Sequence, residues 1–182
     1  MVYESGNGWF ASRAAFMLKA YGHDNVYIMD GGLQKWVSEN RPTESRDVSD
    51  WDNEFDYELD ESQVVSYDRV KEVIADGSMQ IIDCRPAQMV EKTGMMPGAV
   101  NVSGPSLLGE GGVIKDTDEI KGALEGKGVD FAKPIVFTCG GGVMACFGMA
   151  GAAKAGVTAP MYIYDGSWSE WSDKQAKETQ AA

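Results

Sequence analysis

Residues 134–146 read PIVFTCGGGVMAC. A short apolar run ends in Cys139, three glycines follow, and then a pattern of small and apolar residues typical of a helix begins. The glycines allow the backbone to curl, so that successive N–H groups point toward the sulfur. The N-terminus of the following helix adds partial positive charge, which favours the thiolate over the thiol. Because the thiolate is the nucleophilic form, this stretch predicts covalent catalysis at Cys139.

The same pattern occurs a second time, near the N-terminus. Residues 2–11 (VYESGNGWFA) align with residues 136–145 (VFTCGGGVMA), which places Ser5 opposite the cysteine. Further along, residues 27–36 (YIMDGGLQKW) align with residues 162–171 (YIYDGSWSEW). The distance along the chain between the two copies is too long for a solenoid repeat and indicates a duplicated domain. Only one copy has the thiol, as expected when one active site serves two related units.

The composition excludes several classes of protein. With 43% hydrophobic and 24% charged residues, the chain of 182 residues is expected to form a packed core. Its net charge of −12 argues against binding to nucleic acid and gives no support for an anionic membrane surface. No apolar run approaches the roughly 20 residues that span a bilayer, and no secretory signal is visible at the N-terminus. We therefore predict neither nucleic acid nor membrane as a partner.

The cysteines indicate a reducing compartment. Cys84, Cys139 and Cys146 form an odd set without CxxC spacing, and the chain has one histidine. These residues favour neither a zinc site nor a disulfide scaffold, so no metal is predicted. A cytoplasmic or mitochondrial location fits this use of cysteine.

Strands and helices alternate along the chain. We predict strands at residues 1–4, 26–29, 79–84, 99–102, 134–138 and 161–164, and helices at residues 9–21, 33–37, 67–75, 117–124, 143–155 and 168–174. This alternation indicates an α/β fold with a parallel sheet covered on both faces. The Cys139 loop would lie at the carboxyl end of a strand, where open α/β sheets bind their ligands.

The chain divides into four segments: residues 1–42 are the second half of an inactive domain, 43–61 an acidic linker, 62–175 a complete catalytic domain and 176–182 a polar tail. The first unit begins directly with its loop strand, so it lacks the counterpart of the elements that precede residue 134. Half a sheet exposes an apolar face and an unpaired edge. We expect the first unit to dock on the second, to self-associate, or to be poorly ordered.

The chain resembles the tandem-domain rhodaneses, the family of thiosulfate and 3-mercaptopyruvate sulfurtransferases. The matching motifs are CGGGVMA (139–145), DCR (83–85), PGAVN (97–101) and YDGSWSEW (164–171), with GHDNV (22–26) and DGGL (30–33) in the first copy. The resemblance implies a rhodanese-like three-layer fold around a central parallel sheet, preceded by a partial second copy of the same fold.

The resemblance also implies a reaction. Cys139 would take a sulfur from 3-mercaptopyruvate or thiosulfate as a persulfide, and would pass it to a thiol or cyanide without a cofactor. A neutral loop resembles the type that uses mercaptopyruvate. Backbone N–H groups would bind the anionic donor and the persulfide; they belong to Gly140, Gly141, Gly142, Val143 and Met144.

Some features leave alternatives open. Arg85 is a candidate substrate-binding residue, although a structural ion pair with Asp83 near the loop is the favoured role for it. Residues 86–96, where the family has arginines that bind the substrate carboxylate, contain none. A non-enzymatic sulfur carrier or interaction module is therefore the main alternative. A cysteine phosphatase would need an arginine six positions after the cysteine, where this chain has Ala145.

Overall fold

A four-stranded parallel sheet forms the centre of the protein, of which the computed structural model describes residues 1–45 and 56–181. Its strands are β1 (Gln80–Asp83), β2 (Val100–Asn101), β3 (Ile135–Thr138) and β4 (Met161–Ile163), and they lie in the order β2-β1-β3-β4. Every residue of β3 is buried, as expected for an inner strand of a parallel sheet covered on both faces. The predicted α/β class is confirmed.

Helices cover both faces of the sheet. They are α1 (Trp9–Ala20), α2 (Gly32–Ser38), α3 (Tyr67–Asp76), α4 (Ala87–Thr93), α5 (Thr117–Glu125), α6 (Val143–Lys154) and α7 (Ser167–Ala181). On one face, α5 and α6 pack around Ile120 and Phe137. On the other face, α3 and α7 contribute Val70 and Trp171 to a core around Val136. Three layers result, as the sequence predicts.

Local signals in the sequence set the ends of the helices. The Ser66 hydroxyl accepts a hydrogen bond from the Arg69 N–H and caps α3, which ends at Gly77 in the left-handed conformation. A capping box formed by Asp116 and Glu119 begins α5. None of the helices in the described residues is long and apolar enough to cross a membrane.

The first unit has the same order of elements as β3-α6-β4-α7. Val2 and Ile28 form one parallel bridge, α1 connects them, and α2 follows. Two hydrogen bonds hold the bridge, from Val2 N–H to the Tyr27 carbonyl (2.7 Å) and from Met29 N–H to the Val2 carbonyl (2.9 Å). The strands predicted at residues 1–4 and 26–29 are therefore too long. Within the described residues the pairing is limited to this one bridge, and a longer ladder does not form.

The first unit docks on the second, which is one of the three expected outcomes. Phe16 of α1 belongs to the same buried core as Phe147 of α6. Asp30 accepts a hydrogen bond from the Ile114 N–H (2.8 Å) and lies 3.8 Å from the Lys154 amine. Apolar side chains nevertheless stay exposed on the outer side of this unit, among them Tyr3, Phe10, Tyr27 and Val37.

Two further segments differ from the prediction. The predicted polar tail at 176–182 continues α7 as far as Ala181, because Lys177 pairs with Asp173 and Glu178 accepts a hydrogen bond from Lys71 on α3. Helix α4 was not predicted. Of the predicted acidic linker, residues 46–55 lie outside the described residues.

Candidate active site

Cys139 follows β3 directly, at the carboxyl edge of the sheet. Its neighbour on β3, Thr138, is paired with Asp83 of β1, so the ends of the two central strands meet at this point. Cys139 is 2% exposed, whereas Gly141 in the loop beyond it is exposed. The glycine loop is thus the part of this site that meets solvent, and the thiol lies beneath it.

Ser167 holds the Cys139 loop from below. Its hydroxyl oxygen accepts hydrogen bonds from the N–H groups of Cys139 and Gly142 (3.1 Å each) and donates one to the Tyr164 carbonyl (2.9 Å). Ser167 is fully buried and has a φ of 53°, a left-handed conformation uncommon for a residue other than glycine. The start of α7 adds hydrogen bonds from Trp168 N–H to the Cys139 carbonyl and from Ser169 N–H to the Gly140 carbonyl. Sequence reasoning missed Ser167.

These contacts change the set of predicted backbone donors. The Gly142 N–H is bonded to Ser167, so it is no longer available to a substrate. The N–H groups of Val143 and Met144 open α6 and have no acceptor within the helix. Those of Gly140 and Gly141 donate to no group among residues 1–45 and 56–181. Four of the five predicted donors therefore remain candidates for binding an anion.

Gly142 is the residue of the loop that tolerates no side chain. Its φ is 80°, and a Cβ built on it would lie 2.7 Å from the Asp165 carboxylate oxygen and 3.1 Å from the Asp165 carbonyl. A glycine is needed here both for the left-handed backbone and for the close approach of Asp165. By contrast, a Cβ built on Gly141 would meet nothing within 4 Å.

Replacing Gly142 with alanine is expected to displace the loop and to slow alkylation of Cys139 by iodoacetamide about 10- to 100-fold, since small displacements of reacting groups have effects of this size. Gly141→Ala is the matched control and should react within about twofold of the wild type, because open space surrounds the new methyl group. Mass spectrometry of the labelled protein measures both rates. Equal slowing in the two variants would contradict this assignment.

Arg85 forms a buried ion pair with Asp83 and has no surface to offer a substrate. Both side chains are 1% exposed, and the guanidinium binds the carboxylate at 2.6 and 3.0 Å. The guanidinium also donates to the Thr93 hydroxyl (2.9 Å) and the Gly94 carbonyl (2.7 Å). The guanidinium also lies 4.2 Å from the centre of the Trp168 ring. This geometry corrects the candidate role of Arg85 as a substrate ligand and favours its role as an ion pair.

The other two cysteines lie in the core. Burial raises the pKa of the Cys146 thiol to about 11, an effect that the nearby Arg13 guanidinium opposes. The Cys146 thiol donates a hydrogen bond to the Gly142 carbonyl (3.2 Å). Burial also raises the pKa of Cys84 well above its usual range. In the described ranges, no three His, Cys, Asp or Glu side chains are placed to hold a metal ion.

Known proteins are similar to this chain in sequence and in fold. The rhodanese-like domain family matches residues 1–39 and 66–174. The 3-mercaptopyruvate sulfurtransferase of Homo sapiens is 35% identical over 183 residues, which cover 94% of this chain and 61% of that protein. The thiosulfate sulfurtransferase of Gallus gallus is 34% identical over 171 residues, which cover 90% of this chain and 59% of that protein. The chain thus spans less than two thirds of the length of either relative.

Solved structures of related proteins have the same fold as this chain. SseA from Escherichia coli, a 3-mercaptopyruvate sulfotransferase of the rhodanese fold, superposes with a TM-score of 0.82 at 34% identity, covering 91% of this chain and 65% of that one. Tum1 from Saccharomyces cerevisiae, at 23% identity, shares the fold with a TM-score of 0.81, over 94% of this chain and 65% of its own. With its motifs, sheet order and family match in agreement, the chain belongs to the rhodanese-like domain family.

Proposed function

We propose that the chain is a sulfurtransferase that moves a sulfane sulfur from 3-mercaptopyruvate or thiosulfate to a thiophilic acceptor through a persulfide on Cys139. The thiolate attacks the outer sulfur of thiosulfate, or the thiol sulfur of 3-mercaptopyruvate, and forms an S–S bond. With thiosulfate, the S–S bond of the donor breaks and sulfite leaves with the electron pair. With 3-mercaptopyruvate, the C–S bond breaks, and pyruvate leaves as its enolate and takes a proton from water.

The second half of the reaction returns the enzyme to its starting state. A thiolate or cyanide attacks the outer sulfur of the persulfide and forms a new bond to it. The S–S bond to Cys139 then breaks, and the Cys139 sulfur keeps the electron pair and becomes a thiolate again. Cyanide would leave as thiocyanate, and a small or protein thiol would leave as a persulfide.

The observation that carries this proposal is the loop around Cys139. The cysteine follows a central strand. Four backbone N–H groups, those of Gly140, Gly141, Val143 and Met144, have no acceptor in the described part of the chain and can stabilise negative charge on the donor or on the persulfide. The names of the two relatives, a 3-mercaptopyruvate and a thiosulfate sulfurtransferase, support the same chemistry. The loop itself carries no charged side chain, and in this it resembles the loops of the family members that use mercaptopyruvate as the donor.

A sulfur carrier is the second candidate, and Arg85 is the observation that favours it. The arginine of the DCR motif is buried in its pair with Asp83, and residues 86–96 contain no arginine. A donor carboxylate would therefore be held weakly. In a carrier, Cys139 would accept sulfur and keep it until a partner protein removes it.

Sulfur uptake and release distinguish the two candidates. The wild-type protein is incubated with 3-mercaptopyruvate or with thiosulfate, and its intact mass is measured before and after cyanide is added. A transferase gains one sulfur atom and forms thiocyanate over many turnovers. Uptake that yields only one thiocyanate per protein would indicate the carrier, and no uptake from either donor would refute the transferase.

A further inference from the structure

Arg13 connects the first unit to the active-site loop of the second. It lies on α1, and its guanidinium bonds to the Asp165 carboxylate (2.5 Å) across the interface between the two units. The same guanidinium nitrogen lies 3.2 Å from the position that a Cβ on Gly142 would occupy. One cation from the unit that has Ser5 in place of the cysteine thus binds Asp165 and lies close to Gly142 in the Cys139 loop.

The partners of Arg13 are the groups that shape this loop. Asp165 packs against Gly142 and stands two residues before Ser167, whose hydroxyl holds the Cys139 and Gly142 N–H groups. Any shift of Asp165 would therefore reach the loop by two routes, through its contact with Gly142 and through the turn that leads to Ser167.

We propose that Arg13 is a positioning residue for Cys139: by fixing Asp165 against Gly142, it holds the loop in its reactive conformation and makes the first unit part of the active site. This inference deepens the proposed function and depends on it only for the sulfur-transfer readout. The first unit thus contributes to the Cys139 site through Arg13, although its own Ser5 loop is not part of that site.

The expected signature of this role is a loss of reactivity without an equal loss of stability. The Arg13 and Asp165 side chains are 25% and 51% exposed, and ion pairs with this exposure contribute little to folding. A second ion pair across the same interface, between Lys154 and Asp30 (3.8 Å), does not involve the loop. Lys154→Gln is therefore the matched control for removal of a charge between the two units.

Arg13→Gln, Arg13→Lys, Asp165→Asn and Lys154→Gln are compared in the full chain. The rate of Cys139 alkylation by neutral iodoacetamide is measured first, because it does not require sulfurtransferase activity. We expect Arg13→Gln and Asp165→Asn each to slow it about 10- to 100-fold, and the double variant to slow it no further, because both changes break one contact. Arg13→Lys should recover part of the rate, since it keeps the charge but loses the planar fork.

The controls separate positioning from other roles. Lys154→Gln should react within about twofold of the wild type, and the four single variants should melt close to it. Slowing by Lys154→Gln equal to that by Arg13→Gln would overturn the proposal, because general undocking would then explain both. A loss confined to anionic donors, with alkylation unchanged, would also overturn it and make Arg13 a donor ligand. If the wild type takes up no sulfur, the proposed function fails, while the alkylation result still decides the role of Arg13.

Discussion

Replacement of Cys139 with serine is expected to abolish sulfur uptake from both 3-mercaptopyruvate and thiosulfate. A serine hydroxyl keeps its proton at neutral pH and is not a nucleophile for sulfane sulfur without a base beside it. The change is nearly isosteric at the carboxyl end of β3, so the fold should be preserved. Intact mass after incubation with each donor measures the result, and circular dichroism measures the fold.

The other two thiols are poor substitutes for Cys139. At neutral pH, Cys146 remains a thiol because burial raises its pKa to about 11, and burial raises the pKa of Cys84 in the same direction. Both groups would become thiolates only as the pH rises above their raised pKa values, so sulfur uptake at pH 7 should report on Cys139 alone.

Cys146→Ser is the matched control for this experiment. At the corresponding position of the first unit, the Ser12 hydroxyl donates to the Gly8 carbonyl (2.7 Å), as the Cys146 thiol does to the Gly142 carbonyl. A serine at position 146 can therefore make the same hydrogen bond, and uptake should continue. Full sulfur uptake by Cys139→Ser, or loss of sulfur uptake in Cys146→Ser alone, would show that the persulfide forms on Cys146 instead.

The sheet and most helices could be predicted because their signals are local. Strand β3 is a continuous apolar run, and α3 has apolar residues at helical spacing between a serine cap and a glycine. Helix α4 has no buried residue, so its sequence contains no periodic apolar pattern that could reveal it. The apolar residues around Val2 and Ile28 predict two strands of four residues, but only one bridge forms between them. Strand length depends on neighbouring strands as well as on sequence.

The site was predictable only where its residues are adjacent in the chain. Cys139 and its glycines form one motif, and their roles follow from elementary chemistry. Ser167 is 28 residues away from Cys139, and Arg13 is 152 residues away from Asp165. The alignment of the two copies places Gly32 opposite Ser167, which marks a position that favours a left-handed backbone, but the hydrogen bonds to the loop depend on tertiary structure.

The buried pair beneath the site gives the largest expected effect on stability. Arg85→Met should lower the free energy of unfolding by about 3–5 kcal/mol, because it leaves the Asp83 carboxylate buried without its cation. The Thr93 hydroxyl and the Gly94 carbonyl would lose their donor as well. Urea denaturation of the full chain, followed by tryptophan fluorescence and circular dichroism, measures the difference.

Two comparisons test that the unpaired charge is the cause. Asp83→Asn combined with Arg85→Met removes the charge yet keeps an acceptor for the backbone N–H of residue 85, so it should recover part of the loss. Arg69→Met breaks an exposed pair with Glu72 and should change stability by less than about 1 kcal/mol. If the double variant were no more stable than Arg85→Met, lost packing against Trp168 would explain the effect better than the buried carboxylate, and the pair would be a packing element of the fold.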